Sequence, residues 1–235
     1  MNNNYYIFPD WPAPKRVCAV TTTRKLSINK AIDLQLSFSF IQKRLQQDLN
    51  LPASPIWLDQ QHTNIVVDAT TTAVFPIADA AFCNKPNIVC AILTADCLPI
   101  LVCDKAATTV AAIHAGWKGI AQGIIEATIS ALNLDIKNLL VWLGPAIGPN
   151  KFEVGNEVRD LFIAHNKASA LAFEPKDQQK WLANIYLLAT QRLHAIGVTN
   201  IYGAEFCTYS QQELFHSYRR DANTDERMLS MIWLS

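Results

Sequence analysis

Apolar residues gather into short runs through the middle of the chain, and the runs predict three strands, over Ile88–Thr94, Pro99–Cys103 and Thr108–His114. The period then lengthens. Ile120, Ile124, Ala127 and Ala131 recur on one face and predict a helix over 120–132. Val154, Val158, Leu161 and Phe162 do the same for a helix over 154–164. A third helix is expected from Trp181 to Ile196, stopped by Gly197, with strands following at Asn200–Tyr202 and Met228–Leu234. Upstream, Ser37–Leu49 is helix-like, whereas residues 24–36 show no clear period. Strands outnumber helices in an irregular order, which predicts an α+β fold, a sandwich of mixed β-sheets flanked by helices. No repeat, low-complexity tract or Gly/Ser linker divides residues 1–235, so one domain is expected.

Composition narrows the function classes. Half of the residues are hydrophobic and 17% are charged, as in a packed globular protein. Twenty basic residues balance twenty acidic ones, so no overall field favours nucleic acid or an anionic membrane, although a local basic patch can still hold a phosphate-sized ligand. The first residues lack the pattern of a secretory signal, and no apolar stretch reaches the roughly 18 residues of a membrane span, so a cytoplasmic protein is expected. Monomer and homodimer both remain open. Cytosolic chemistry makes disulfides unnecessary for the six cysteines. All but Cys97 read as small hydrophobes.

Cys97 stands out because Thr94-Ala95-Asp96-Cys97-Leu98-Pro99 places a thiol on a bend between two apolar strands. Seventeen residues later, His114-Ala115-Gly116-Trp117-Lys118-Gly119 delivers a histidine from a strand into a turn that opens a helix. An anion can settle at such a helix start beside Lys118. A third candidate, His62, closes Trp57-Leu58-Asp59-Gln60-Gln61-His62. Two imidazoles and a thiolate suffice as a zinc shell with a fourth position open, but the spacing matches no short zinc-finger pattern. Cys97 as a nucleophile paired with a histidine, and both histidines as ordinary loop or strand-end residues, stay open. His165, His194 and His216 are read as structural or solvent-facing.

Several long segments resemble the YfiH family, also called the laccase-domain or multicopper polyphenol oxidase family. They are WLDQQH at 57–62, TADCLPIL at 94–101, HAGWKG at 114–119, WLGPAIGPNKFEVGNEV at 142–158 and SYRRD at 217–221. The resemblance implies a zinc site of His62, Cys97 and His114. It also implies phosphorolysis of purine nucleosides such as adenosine and inosine, with S-methyl-5'-thioadenosine phosphorolysis and adenosine deamination as associated activities. Alternatives on the same fold are a peptidoglycan-editing hydrolase, a copper-dependent polyphenol oxidase, and a zinc-binding protein with degraded activity. A laccase needs a further cluster of copper-binding histidines, and only three of the five histidines remain outside the proposed site, although copper is plausible chemistry for a His₂Cys set.

On this reading Cys97 and Asp96 are the catalytic candidates, the latter as general acid/base, as orienter of a ligand, or as a turn cap. Lys118, Arg219 and Arg220 are the candidates for binding substrate, with a surface ion pair as the plainer role for the arginines. The glycines of residues 144–149 are expected to serve the backbone of a loop wall. The chain also departs from the family pattern. Its G-G-V-S and S-L-N-L-G segments are absent, which shortens the N-terminal region. Ile41 and Gln42 stand where an asparagine-arginine pair is expected, and T-G-R becomes Thr224-Asp225-Glu226-Arg227. Gln42 is thereby expected to face the cleft as a weakened phosphate anchor.

Overall fold

Side chains alternate between the two faces of a strand, and most central strands here are apolar on both faces, so each sheet must be covered on both sides. The computed structural model, which describes residues 5–30, 34–72, 75–222 and 224–235, satisfies that requirement with two large stacked sheets between helices, beside a separate small sheet of three strands. The first part of the chain forms β1 (Tyr6–Ile7), β2 (Val17–Thr22), β3 (Ile28–Asn29), α1 (Leu34–Leu49), β4 (Val66–Asp68) and β5 (Ala80–Cys83). The centre forms β6 (Cys90–Thr94), β7 (Leu98–Asp104), β8 (Val110–Ala115), α2 (Trp117–Gln122), α3 (Ile124–Leu132) and β9 (Leu139–Leu143). Then come β10 (Glu153–Gly155), α4 (Asn156–His165), β11 (Phe173–Asp177), β12 (Lys180–Ala183), α5 (Ile185–Ala195), β13 (Ile201–Gly203) and β14 (Glu226–Leu234).

One sheet runs β13-β9-β7-β8-β5-β4, with parallel pairs at its two edges and antiparallel pairs between. The other is built on β14, which pairs antiparallel with β2, β3 and β6. Alternation sorts the core into three layers. Ile100, Val102, Ala111 and Ile113 face α3 and α5. Leu101, Cys103 and Ala112 face the second sheet, where they meet Cys90, Ile92 and Ile232. Ala91, Leu93, Leu229 and Met231 turn away from that interface to pack on Phe38, Ile41 and Leu45 of α1. The expected α+β sandwich of mixed sheets flanked by helices is therefore observed.

Three helix boundaries need correcting. The helix expected over 120–132 begins at Trp117 and is interrupted at Gly123, whose φ of 90° lies in the left-handed region that glycine tolerates. The segment expected as helix from Val154 opens as β10, and α4 starts only at Asn156. Residues 180–183 form β12 between β10 and β11, so the helix expected from Trp181 begins after Asn184. The Asn184 side chain caps it, accepting the Leu187 N–H at 3.0 Å. A helical period across 181–196 had masked that cap. No helix among the described residues is long and apolar enough to cross a membrane.

Candidate metal centre and substrate cleft

The chain crosses from one sheet to the other between β6 and β7, with only Ala95, Asp96 and Cys97 to make the turn. The turn forces Asp96 to a φ of 87°, strained for a residue with a Cβ. Hydrogen bonds hold it there. The Asp96 carboxylate accepts from Thr208 Oγ1 at 2.6 Å, Ser217 Oγ at 3.0 Å and the Arg219 N–H at 2.7 Å, while its carbonyl accepts the Ile147 N–H at 2.9 Å. Cys97 thus emerges at the start of β7. The register of β7 with β8, Leu98 opposite Ala115 and Pro99 opposite His114, sets His114 at the adjoining strand end.

His62 arrives from a loop, also with positive φ (60°), and one buried carboxylate fixes it. Asp79 accepts the N–H groups of Gln61 (3.3 Å), His62 (3.0 Å) and Thr63 (2.6 Å) and the Thr63 hydroxyl (2.8 Å). The same carboxylate meets His114 Nδ1 at 2.7 Å. Burial alone would raise the Asp79 carboxyl, but His114 and the Thr63 donors outweigh it and hold it at about 2. A carboxylate on Nδ1 fixes that nitrogen as the donor and leaves Nε2 with its lone pair in the neutral imidazole.

The outcome is a compact donor set. The ligand atoms of His62, Cys97 and His114 all lie within 4.8 Å of one another, and His62 Nε2 is 3.5 Å from Cys97 Sγ. Burial disfavours the Cys97 thiolate, yet the His114 charge and hydrogen bonds with both histidines bring the thiol down to about 6. Burial likewise opposes His114 protonation, but Cys97 and Asp79 raise it to about 9. Gly116 leaves room for this packing: a Cβ there would stand 2.5 Å from His62 Cδ2 and 3.1 Å from Cys97 Sγ. Two imidazoles and an ionisable thiol at these separations fit a zinc-type, three-ligand shell, with a carboxylate behind one histidine as such sites generally have.

A cleft of about 510 Å³ opens beside the cluster, within the range of roughly 300–1,000 Å³ of small-molecule sites. Of the candidates read from sequence, His62, Asp96, Cys97, His114, Lys118 and Arg219 line it. Arg220 does not. Its Nε and Nη2 hold Asp221, Nη1 holds the carbonyls of Thr208 and Tyr209, and Nη2 also holds that of Phe215. All five of its donors are engaged by the loop it belongs to, so none is left for a ligand. Gln42 lies on the exposed side of α1, next to Ile41, which fills the core, and it does not line the cleft. In the 144–149 wall, Gly144 and Gly148 prevent contacts with the Trp142 ring and Cys207, respectively. Cys83, Cys90 and Cys103 are buried, apolar thiols, and all six cysteines are free. Cys207 is half-buried, and its Sγ accepts the Gly148 N–H at 3.3 Å, as Cys83 Sγ accepts the Lys85 N–H at 3.2 Å. His165 contacts Arg192, His194 lies on α5 and His216 is buried outside the cleft.

Sequence reasoning missed Asp79, Lys30 and Arg227. Asp79 left a signal: an acid inside the apolar run Ile77-Ala78-Asp79-Ala80-Ala81 must be paired when buried. Lys30 and Arg227 left none, because only the pairing of β3 with β14 brings them to one wall.

A family model described as multi-copper polyphenol oxidoreductase laccase matches residues 33–235. The chain belongs to this family. Two relatives span nearly its whole length. A protein of Pseudomonas aeruginosa named purine nucleoside phosphorylase PA4543 is 44% identical, with 98% of this chain and 99% of the relative covered. Purine nucleoside phosphorylase YfiH of Escherichia coli is 46% identical over 97% of this chain and 98% of its own. Among solved structures, Neisseria meningitidis protein NMB0706 superposes with a TM-score of 0.90 at 37% identity, covering 98% of this chain and 99% of that one.

Proposed function

We propose that this member of the family is a zinc-dependent purine nucleoside phosphorylase, with the metal held by His62, Cys97 and His114. The observation that carries the reading is the single Asp79 carboxylate, which orients both histidines around a cleft-lining thiol. The names of the P. aeruginosa and E. coli relatives supply the reaction class. A laccase-type multi-copper cluster has no support, since His62, Cys97 and His114 form the one metal-capable group of three among the described residues.

Zinc in such a donor set supplies a Lewis acid beside the substrate. The chain's own groups do the rest. Asp79 keeps the His114 lone pair directed inward, and Asp96 serves as a positioning residue that ties the 217–221 loop to the corner. Trp117 and Phe152 offer apolar ring surface along the cleft to a purine and its ribose. Lys118 and Arg219 face the same space as cations for an anionic co-substrate. In the reaction a phosphate oxygen bonds to C1′ as the C1′–N9 bond breaks. The bonding electrons leave with the purine, which takes up a proton, and the products are free base and ribose 1-phosphate.

Adenosine, inosine and S-methyl-5'-thioadenosine share the ribosyl–purine bond and are the substrates proposed. The test is inosine turnover with and without phosphate. Hypoxanthine and ribose 1-phosphate formed in equal amounts, only with phosphate present, is the expected result. Equal hypoxanthine release without phosphate assigns hydrolysis instead.

A further inference from the structure

The cleft beside the donor cluster carries two cations that have no ion-pair partner among the described residues. Lys30 follows β3, and Arg227 lies on β14 opposite Ile28. The Lys30 N–H, bonded to the Asp225 carbonyl at 2.9 Å, locks the two segments together. Both side chains line the cleft, and neither forms an ion pair among the described residues. Asp59 and Asp79 act on Lys30, and Asp225 and Asp96 on Arg227, from beyond ion-pair distance.

Arg227 is half-buried and anchored at one corner. Its Nη1 donates to the carbonyls of Thr224 (2.6 Å) and Glu226 (2.9 Å), and its guanidinium lies 5.7 Å from the Tyr218 ring centre. Nε and Nη2 are left without a protein acceptor among the described residues. That is the opposite of Arg220, where every donor is used inside the chain. The Thr94 hydroxyl, which lines the same cleft, is buried and has no partner among the described residues either.

A half-buried guanidinium beside an ammonium is costly unless an anion joins them, and low-dielectric cleft walls strengthen their joint field. Desolvation lowers the proton affinity of both groups and Arg227 lowers that of Lys30 further, while the Cys97 thiolate, which lines the same cleft, favours both charges. A planar guanidinium with adjacent free N–H groups and a flexible point charge suit a tetrahedral oxyanion better than a neutral sugar.

We propose that Lys30 and Arg227 form the subsite for inorganic phosphate, in the cleft that the donor cluster lines. The identity of the anion rests on the phosphorolysis reading; the anion site itself does not. Lys30 is exposed, as are Lys118 and Arg219, but it alone is joined to the half-buried Arg227 through the pairing of β3 with β14, so Lys118 and Arg219 draw the anion in and do not hold it in place.

The test measures phosphate binding by calorimetry on the zinc-loaded full chain, without nucleoside, for wild type, Lys30→Gln, Arg227→Gln and Lys43→Gln. Losing one charge-assisted contact is expected to weaken phosphate binding roughly ten-fold or more in each of the first two variants. Lys43, an exposed cation on α1 outside the cleft, is expected to change nothing. Steady-state kinetics should show the same rise in the KM for phosphate with the KM for inosine nearly unchanged. Should Arg227→Gln misfold through loss of its two carbonyl contacts, Lys30→Gln decides the matter alone. Wild-type phosphate affinity in Lys30→Gln overturns the subsite, as does an equal loss in Lys43→Gln, which signals overall charge only. Phosphorolysis with unchanged phosphate affinity in the variants removes the subsite and keeps the reaction. Loss of phosphate binding in a protein that does not split inosine keeps the subsite and removes the reaction.

Discussion

Two parts of the cleft lining use charge in opposite ways. On the donor-cluster side, the Asp79 charge is consumed within the chain: backbone, hydroxyl and imidazole donors surround one carboxylate, and two histidines are fixed as a consequence. Elsewhere in the lining, Lys30 and Arg227 keep charge in reserve for something outside the chain. Arg219 and Arg220 repeat the contrast within two residues. The Arg219 guanidinium donates to the Glu153 carbonyl at 3.0 Å and lines the cleft, whereas Arg220 turns back into its own loop. A satisfied charge positions its neighbours, and an unsatisfied one binds.

Breaking the satisfied side should have the largest effect. Asp79→Asn keeps an acceptor but replaces one oxygen with an amide that faces N–H donors, so zinc affinity should fall about 10–100-fold, as read by chelator competition. The pH dependence of folding sharpens the point. Because the Asp79 pKa is depressed to about 2, its contribution is fully present above the ordinary carboxylate value of about 3.9. It is lost as pH falls towards 2. Metal-free wild type should therefore lose urea stability over that window, and metal-free Asp79→Asn should lose less.

Arg220→Ala comes next. Removing its fork leaves the carbonyls of Thr208, Tyr209 and Phe215 without their donor and the Asp221 carboxylate with only the Ser217 N–H, which should cost about 1.5–3 kcal/mol in urea unfolding. Phosphate affinity of the folded variant should change far less than that of Arg227→Gln. A larger loss of phosphate affinity than of stability would move Arg220 to the binding side of the comparison.

The smallest effect is expected at Gln42. Since it faces solvent on α1, Gln42→Arg should leave phosphate affinity within about two-fold of wild type, and surface changes of this kind are usually within about 0.5 kcal/mol in stability. Tighter phosphate binding in that variant would place a cation where the structure has none.

What could be read from sequence follows the same division. His62, Cys97 and His114 were legible because each sits in a local motif whose bend or strand end is specified by its neighbours. The sandwich was legible because residues such as Ile100 and Leu101 alternate between two apolar faces. The start of α5 was not, since Trp181 and Leu182 fit a helical period although they pair in a sheet with Val154 and Glu153. Asp96 was legible as a residue of interest but not as the hub of the 217–221 loop, whose partners lie more than a hundred residues away. Lys30 lay in a stretch without period, and its neighbourhood depends on a strand at the other end of the chain.

The central claim is that three side chains, oriented from one carboxylate, hold a zinc ion at the corner between the sheets. Metal analysis of purified wild type and Cys97→Ala, with Cys83→Ala as the control, tests it most directly. The account predicts about one zinc per chain in wild type and in Cys83→Ala, and little in a folded Cys97→Ala protein. Full zinc in Cys97→Ala would contradict it.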